Sequence, residues 1–295
     1  LIMIDFTKMH GLGNDFVIID ARKSSIKLTS ENIQMIADRN LGVGCDQIMI
    51  IYPAKNSGDV YLQILNPDGS ETGACGNGTR CVASVLLSEL KRDMVHIETA
   101  SGILSAFTNG NMISVNMGAS KFMPEDIPFN NSELHLDDLL YVPFSEIIEE
   151  KATLISMGNP HAVFFVPDCE LVDLEKIGPL IEHHSNFPNK TNVEFVQQLS
   201  GERLRMRVWE RGVGVTKACG SGACAAAVAG ARRGLVNTNV EILLDGGSLW
   251  VEILDYGDGL LKRESSGKNS VIMTGPASHS FSGKIPRTLL KASMA

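Results

Sequence analysis

Ala74-Cys75-Gly76-Asn77-Gly78 returns 144 positions later as Ala218-Cys219-Gly220-Ser221-Gly222, and each copy runs directly into a long apolar stretch. A cysteine followed by small residues at a helix start sits where the unpaired backbone N–H groups and the positive end of the helix dipole gather. That field favours a thiolate and holds nearby anions. Two such starts facing one another would form an acid/base pair with an anion cradle between them.

The stretch after the first motif predicts a helix from about Asn77 to Arg92, with Val82, Val85, Leu86, Leu87 and Leu90 and few polar residues before its end. The second, from Gly222 to about Arg232, reads Ala223-Cys224-Ala225-Ala226-Ala227-Val228-Ala229-Gly230-Ala231. A helix without a polar face must be surrounded by protein, and small side chains let other backbone come close on several sides. The segments around them alternate like strands: 2–8, 16–20, 48–52 and 60–65. His10 to Asp15 reads as the turn between the first two strands, and Thr29-Ser30-Glu31 as the capped start of a helix reaching about Asn40. Asn66-Pro67-Asp68-Gly69 is a strong turn signal just ahead of the first cysteine motif.

Other landmarks share the spacing. Gly13-Asn14 is answered by Gly158-Asn159, and Gln47-Ile48 by Asn192-Val193, each 145 positions on; Thr72 is answered by Thr216 at 144. The expected architecture is therefore α/β (α+β): two similar domains from an internal duplication, each a barrel-like mixed sheet wrapped around a central helix, with the active site in the cleft between them. The boundary is expected near Met117 to Pro124. That gives one domain of residues 1–118 plus 277–295 and another of 119–276.

Composition narrows the function classes. The 295 residues are 44% hydrophobic and 20% charged, the balance of a globular protein. A formal charge of −8 without a block of Lys or Arg argues against a grip on nucleic acid or an acidic membrane surface, and favours a small-molecule substrate. No apolar run approaches the roughly 20 residues that span a bilayer, and Leu1-Ile2-Met3-Ile4-Asp5 does not read as an export signal, so a cytoplasmic location is expected. The six cysteines are too sparse for a disulfide framework. Cys75/Cys81 and Cys219/Cys224 are spaced unlike a C-x2-4-C zinc turn, so no metal is expected and Cys81 and Cys224 read as core residues. Without a P-loop or a strand followed by G-x-G-x-x-G, no nucleotide cofactor is expected.

Inverting the α-carbon of an amino acid requires a base on one face and an acid on the other, and a thiolate/thiol pair supplies both. The residues that carry this reading also carry a family resemblance. Met9 to Phe16, Gly44-Cys45-Asp46-Gln47, Asn66 to Ser70, Ala74 to Cys81, Met157-Gly158-Asn159-Pro160-His161, Asn192-Val193-Glu194-Phe195, Trp209-Glu210-Arg211-Gly212, Ala218 to Ala223 and Met273-Thr274-Gly275-Pro276 together resemble the diaminopimelate epimerases. These cofactor-independent enzymes interconvert LL- and meso-2,6-diaminopimelate on the route to lysine and peptidoglycan.

The resemblance implies that Cys75 and Cys219 are the catalytic thiols, supported by His161 and Glu210. It places Gly76-Asn77 and Gly220-Ser221 around the reacting carboxylate, and Asn14, Gln47, Asn66, Asn159, Asn192, Glu210 and Arg211 on the rest of the substrate. It also implies a homodimer. Val215 stands where the family usually has Glu, and Pro67 where Ala is usual; neither position is assigned to catalysis. Taken singly, Asn14, Asn66 and Asn159 read as turn residues, Asp46 as a turn cap, and His183-His184 as solvated surface. Two other functions fit parts of the pattern: a proline or hydroxyproline racemase, whose substrate lacks a distant charged arm, and a non-catalytic amino-acid-binding or thiol redox protein.

Overall fold

A computed structural model describes residues 3–24, 26–73, 75–130, 142–255, 269–286 and 289–290; Leu1-Ile2 and Ala74 of the first cysteine motif lie outside them. Backbone packing divides the chain into two compact units, Leu1–Val115 with Gly275–Ala295, and Asn116–Thr274.

In the first unit the strands are β1 (Met3–Gly11), β2 (Asn14–Asp20), β3 (Gln47–Pro53), β4 (Val60–Leu65), β5 (Glu71–Thr72), β6 (Met94–Thr99), β7 (Gly102–Asn109) and β8 (Met112–Asn116). Helix α1 (Ser30–Ala37) links β2 to β3, and α2 (Gly76–Leu90) links β5 to β6. Neighbouring strands pair antiparallel except β2 with β3 and β4 with β6, which are parallel. Both parallel steps enclose a helix, as a crossover connection requires.

The second unit repeats this plan. After the short β9 (Val142–Phe144) come β10 (Ile148–Ser156), β11 (Pro160–Phe165), α3 (Leu174–Glu182), β12 (Asn192–Ser200), β13 (Arg203–Glu210), β14 (Gly214–Thr216), α4 (Gly220–Arg232), β15 (Asn239–Leu244), β16 (Gly247–Asp255) and β17 (Asn269–Gly275). Its parallel pairs, β11 with β12 and β13 with β15, again enclose the helices. Register repeats as well: Phe16 faces Gln47 in the first unit, and His161 faces Asn192 in the second, each 145 positions later. Ile48 faces Leu65 as Val193 faces Trp209, and Leu65 faces Glu71 as Trp209 faces Val215. The last strand, β18 (Ser278–Pro286), returns to the first unit and pairs antiparallel with β1.

Each sheet curls, because one helix touches strands from both ends of it. α2 packs on β1, β2, β3, β6 and β7; α4 packs on β10, β11, β12, β13, β15 and β16. The burial this demands is complete along α2 from Gly76 to Ala83, and along α4 everywhere except Ser221 and Ala231. Cys81 and Cys224 have no exposed surface and pack as core residues. Both helices begin slightly earlier than the apolar pattern predicts, because each cysteine takes an extended backbone and caps the first turn.

Two local expectations change. The first hairpin turns in two residues, Leu12 (φ 57°) and Gly13 (φ 85°), so β1 runs through His10 to Gly11, and Asn14 opens β2. Two successive left-handed residues match the twist of the flanking strands, which a longer loop would not need. Helix α1 ends at Ala37 rather than near Asn40, because Asp38 becomes extended and its carboxylate accepts the N–H groups of Asn40 and Leu41. Among the described residues, no helix is long and apolar enough to cross a membrane.

Candidate active site

Each cysteine caps its helix in the same way. The Cys75 Sγ accepts the Gly78 N–H at 3.4 Å, and the Cys219 Sγ accepts the Gly222 N–H at 3.4 Å. A glycine donates at both caps and leaves room for the buried side chain opposite: a Cβ on Gly78 would stand 2.0 Å from Cε of Met49, and one on Gly222 would stand 2.8 Å from Oε1 of Glu194. The helix starts thus press against the sheet, with their amide groups clustered beside the sulfur. A second bond is repeated between equivalent positions. Asn77 Nδ2 donates to Asn14 Oδ1 at 3.3 Å, and Asn159 Nδ2 donates to Ser221 Oγ at 3.3 Å.

Around Cys75, which is half-buried, the assigned amides are braced by charges the sequence reading did not assign. Asn14 donates to Asp46 Oδ2 at 2.8 Å, and the same oxygen accepts the Asp15 N–H at 3.0 Å. Asp46 therefore does more than cap its own turn. Arg39 grips Asp15 through two N–H groups at 2.8 and 3.1 Å and reaches Asp46 Oδ1 at 2.7 Å, while Lys8 contacts Asp15 at 2.5 Å and also bonds the Gly44 carbonyl. Burial alone would raise the Asp15 carboxyl, but Arg39 and Lys8 outweigh it and hold the group well below the usual range. On the other side of Asn77, the fully buried Arg80 donates to Asn77 Oδ1 at 2.9 Å and reaches the Pro276 carbonyl. Gln47 Nε2 donates to Asn66 Oδ1 at 2.9 Å, and Asn66 donates in turn to Ser70.

Around Cys219 the surroundings are ionisable. The thiol is 5% exposed, and its Sγ lies 3.6 Å from Ser221 Oγ. Burial, then the nearby carboxylates Glu210 and Glu194, push it well above its ordinary value of 9.0, against the opposing pull of the Gly222 N–H and Ser221, so the thiolate that the helix start was expected to favour is disfavoured here. Burial also raises Glu210, although hydrogen bonds from Thr216 and Cys219 stabilise its charged form. His161 and Glu194 are fully buried together. Nδ1 of the ring meets Glu194 Oε1 at 2.7 Å, and Nε2 meets Asn159 Oδ1 at 3.0 Å. A continuous chain therefore runs from Glu194 through His161, Asn159 and Ser221 to the Cys219 sulfur. The other Glu194 oxygen, Oε2, is buried without a hydrogen-bond partner.

The remaining assigned residues of this unit meet where the first residue of β12 reaches the turn after β13. Asn192 Oδ1 accepts the Arg211 N–H at 3.0 Å, and its Nδ2 donates to the Pro160 carbonyl. Arg211 is exposed, and its guanidinium donates to the Asn189 carbonyl at 3.3 Å. Of the two histidines read as surface, His183 is exposed. His184 is not: its ring packs edge-on against Phe144, and its Nε2 pairs with Glu146 at 3.1 Å. Aromatic packing on a core phenylalanine draws it inward. No group of three or more potential metal-ligating side chains converges among the described residues.

The arrangement offers two thiols beside clustered N–H donors, each ringed by fixed amides, and one of them in contact with a raised carboxyl group. Such sites suit proton transfer at a carbon next to a carboxylate, where the amide donors hold the developing charge. Comparison with known proteins agrees. The model of the family described as Diaminopimelate epimerase matches residues 6–123 and 153–279. A diaminopimelate epimerase of Rhodospirillum centenum is 47% identical over 291 residues, covering 98% of this chain and 94% of the relative. One of Neisseria meningitidis is 42% identical over 96% of this chain and 98% of its own. In fold, the chain is similar to a hydroxyproline epimerase from Agrobacterium vitis (TM-score 0.67, 16% identity, covering 96% of this chain and 91% of that one). It is also similar to a probable proline racemase from Agrobacterium radiobacter (TM-score 0.69, 14% identity, 96% and 93% coverage).

Proposed function

The chain belongs to the diaminopimelate epimerase family, and we propose that Cys75 and Cys219 are the two groups with which it moves the α-proton. The enzyme is an isomerase that interconverts LL- and meso-2,6-diaminopimelate, a step in making lysine and peptidoglycan precursors. The thiol assignment is supported above all by the repeated cap, in which each sulfur is held beside the N–H groups of a buried helix start.

In this reading the thiolate on one face removes the α-proton and becomes a thiol. The electron pair left on carbon spreads into the substrate carboxylate, which the N–H groups at Gly76, Asn77, Gly220 and Ser221 hold. The thiol on the other face delivers its proton to that carbon and becomes a thiolate, so the reverse reaction finds the roles exchanged. His161 and Glu210 adjust the charge around Cys219. Asn14, Gln47, Asn66, Asn159, Asn192, Glu210 and Arg211 hold the distal ammonium and carboxylate, whose charges need partners if they are to leave water. No cofactor enters this scheme. We place the enzyme in the cytoplasm as a homodimer, which light scattering of the pure protein tests.

The mechanism is tested in deuterated water with pure, reduced enzyme and LL-diaminopimelate. Product formed early should carry deuterium at the inverted carbon while the remaining substrate stays protiated. Abundant protium in early product, measured by mass spectrometry after chiral chromatography, would sink the two-thiol assignment.

A further inference from the structure

Glu182, the last residue of α3, is a carboxylate with a side chain only 3% exposed, placed on neither the substrate nor a catalytic cysteine. Its Oε2 accepts the indole N–H of Trp209 at 2.7 Å, and its Oε1 accepts the backbone N–H of Gly212 at 2.8 Å. These two donors flank Glu210-Arg211, so one buried group fastens both ends of the dipeptide that carries the charges for the distal arm of the substrate. Other contacts tie the same turn. Arg211 donates its backbone N–H to Asn192 and a guanidinium N–H to the Asn189 carbonyl, and Lys190 and His183 stand 3.9 and 3.8 Å from the Glu182 carboxylate. α3 approaches closely because Gly178 faces the Trp209 ring, where a Cβ would lie 2.5 Å from Cγ.

The duplicated half supplies the control. Ala37 ends α1 145 positions earlier and offers no such group. There the corresponding turn is tied mainly by its own residues: Asp68 accepts from the Ser70 N–H and hydroxyl, and Asn66 donates to Ser70, while the contribution of α1 is an exposed, neutral Gln34 amide that donates to the Asp68 carbonyl at 3.3 Å. A buried carboxylate is costly to desolvate unless its oxygens are paired with good donors, and simple packing would be served by an apolar residue. We propose that Glu182 is a positioning residue for the epimerase reaction: by clamping Trp209 and Gly212 it sets where the Arg211 guanidinium meets the distal carboxylate of diaminopimelate. The inference rests on the assignment of Arg211 to the substrate.

Glu182→Gln tests this, because an amide can accept only one of the two N–H groups and turns its own NH2 toward the other. KM for LL-diaminopimelate should rise by about ten-fold, the loss expected when a charged hydrogen bond is weakened, while kcat stays within about three-fold. Trp209→Phe, which removes one of the donors, should raise KM in the same direction by less. Arg211→Ala should raise KM by at least as much as Glu182→Gln, and the double variant should be no worse than Arg211→Ala alone, because Glu182 acts through Arg211. A merely structural role would instead multiply the two losses or lower kcat, and either outcome overturns the proposal. So does an unchanged KM in both Glu182→Gln and Trp209→Phe while Arg211→Ala is impaired. If Arg211→Ala itself binds substrate normally, the assignment of Arg211 falls, and the clamp proposal falls with it.

Discussion

The two helix starts share backbone, cap and register, yet they rest on opposite kinds of chemistry. Beneath the first lie Phe16 and Met49; at the same positions beneath the second, 145 residues on, lie His161 and Glu194. Both pairs are buried and adjoin the helix start, since Met49 crowds Gly78 and Glu194 crowds Gly222. Both halves thus share the geometry of a thiol beside N–H donors, while the layer below is an apolar pair in one and an ionisable pair in the other. Glu194 of that layer and Glu210 beside it both raise the Cys219 thiol, whereas Phe16 and Met49 carry no ionisable group.

The most severe way to break this comparison is to remove either sulfur. Cys75→Ala and Cys219→Ala should each lower epimerisation by about 10³-fold or more, the scale of losing a positioned proton-transfer group. Sharper information comes from exchange of the α-proton with solvent. Each variant should retain only the slow exchange its surviving thiol drives, and on opposite stereoisomers. Equal exchange on both isomers in either variant would mean that one thiol serves both faces.

Next in size is the supporting pair. His161→Phe copies the first half at one position and leaves Glu194 as a buried carboxylate without its partner. Removing one member of a buried pair costs about 3–5 kcal/mol, which denaturant unfolding can read. Adding Glu194→Met completes the copy, and stability should return to within about 1 kcal/mol of the parent, because an apolar pair of similar size needs no hydrogen bonds. Activity should stay low in both variants. A double variant as unstable as the single one would show that the second helix start has no room for the apolar layer.

A smaller effect concerns the Cys219 proton. Glu210→Gln removes one of the carboxylates that raise the thiol, so the pH midpoint for alkylation of Cys219 by iodoacetamide should fall. The parent carries a related stability signature. The folded protein holds the Cys219 proton more tightly than the unfolded chain does, so this contribution is intact below the ordinary value of 9.0 and is lost as pH rises through the folded one. An alkylation midpoint that stays put in Glu210→Gln would remove Glu210 from the thiol's electrostatic surroundings.

Much of this was legible in the sequence, and what was not has physical causes. The 144 and 145 spacings revealed the duplication, because register and packing hold the strands in step and the single-residue length difference is confined to the stretch between Ile48 and Leu65. The cysteines, small residues and apolar helices marked the caps. Helix α3 was hidden by Gly178 and Pro179, residues that ordinarily interrupt a helix; here the glycine admits the Trp209 ring. With α3 unread, Glu182 drew no assignment. Glu194 lies among Val193, Phe195 and Val196 in a strand buried on both faces, so alternation gave it no polar side. Only its alignment with Met49 exposes it as a charge placed where the fold is content with a hydrocarbon. Asp46 looked like a turn residue because its partners Asn14 and Arg39 are brought to it by different elements.

The mildest prediction probes that last contact, where the first half supports its amides with charges set to one side rather than beneath the helix. Asp46 Oδ2 fixes the Asn14 amide, whose Oδ1 receives the Asn77 N–H beside Cys75. Asp46→Ala leaves that amide to turn and weakens one hydrogen bond to a residue we propose to hold the substrate, so kcat/KM should fall by about five-fold, roughly 1 kcal/mol. Asp46→Asn, which can keep an oxygen toward Asn14, should lose less. Asp15 offers an independent check on the same network. Arg39 and Lys8 hold its carboxyl below the ordinary value of 3.8, so its stabilisation is present above that pH and disappears as pH falls through the depressed folded value. Asp15→Asn should therefore flatten the acid limb of a stability curve below about pH 4. If Asp46→Ala proved as damaging as losing Cys75, the carboxylate would have to touch the substrate itself. The first half-site would then depend on charge as directly as the second, and the contrast between an apolar and a charged support would fail.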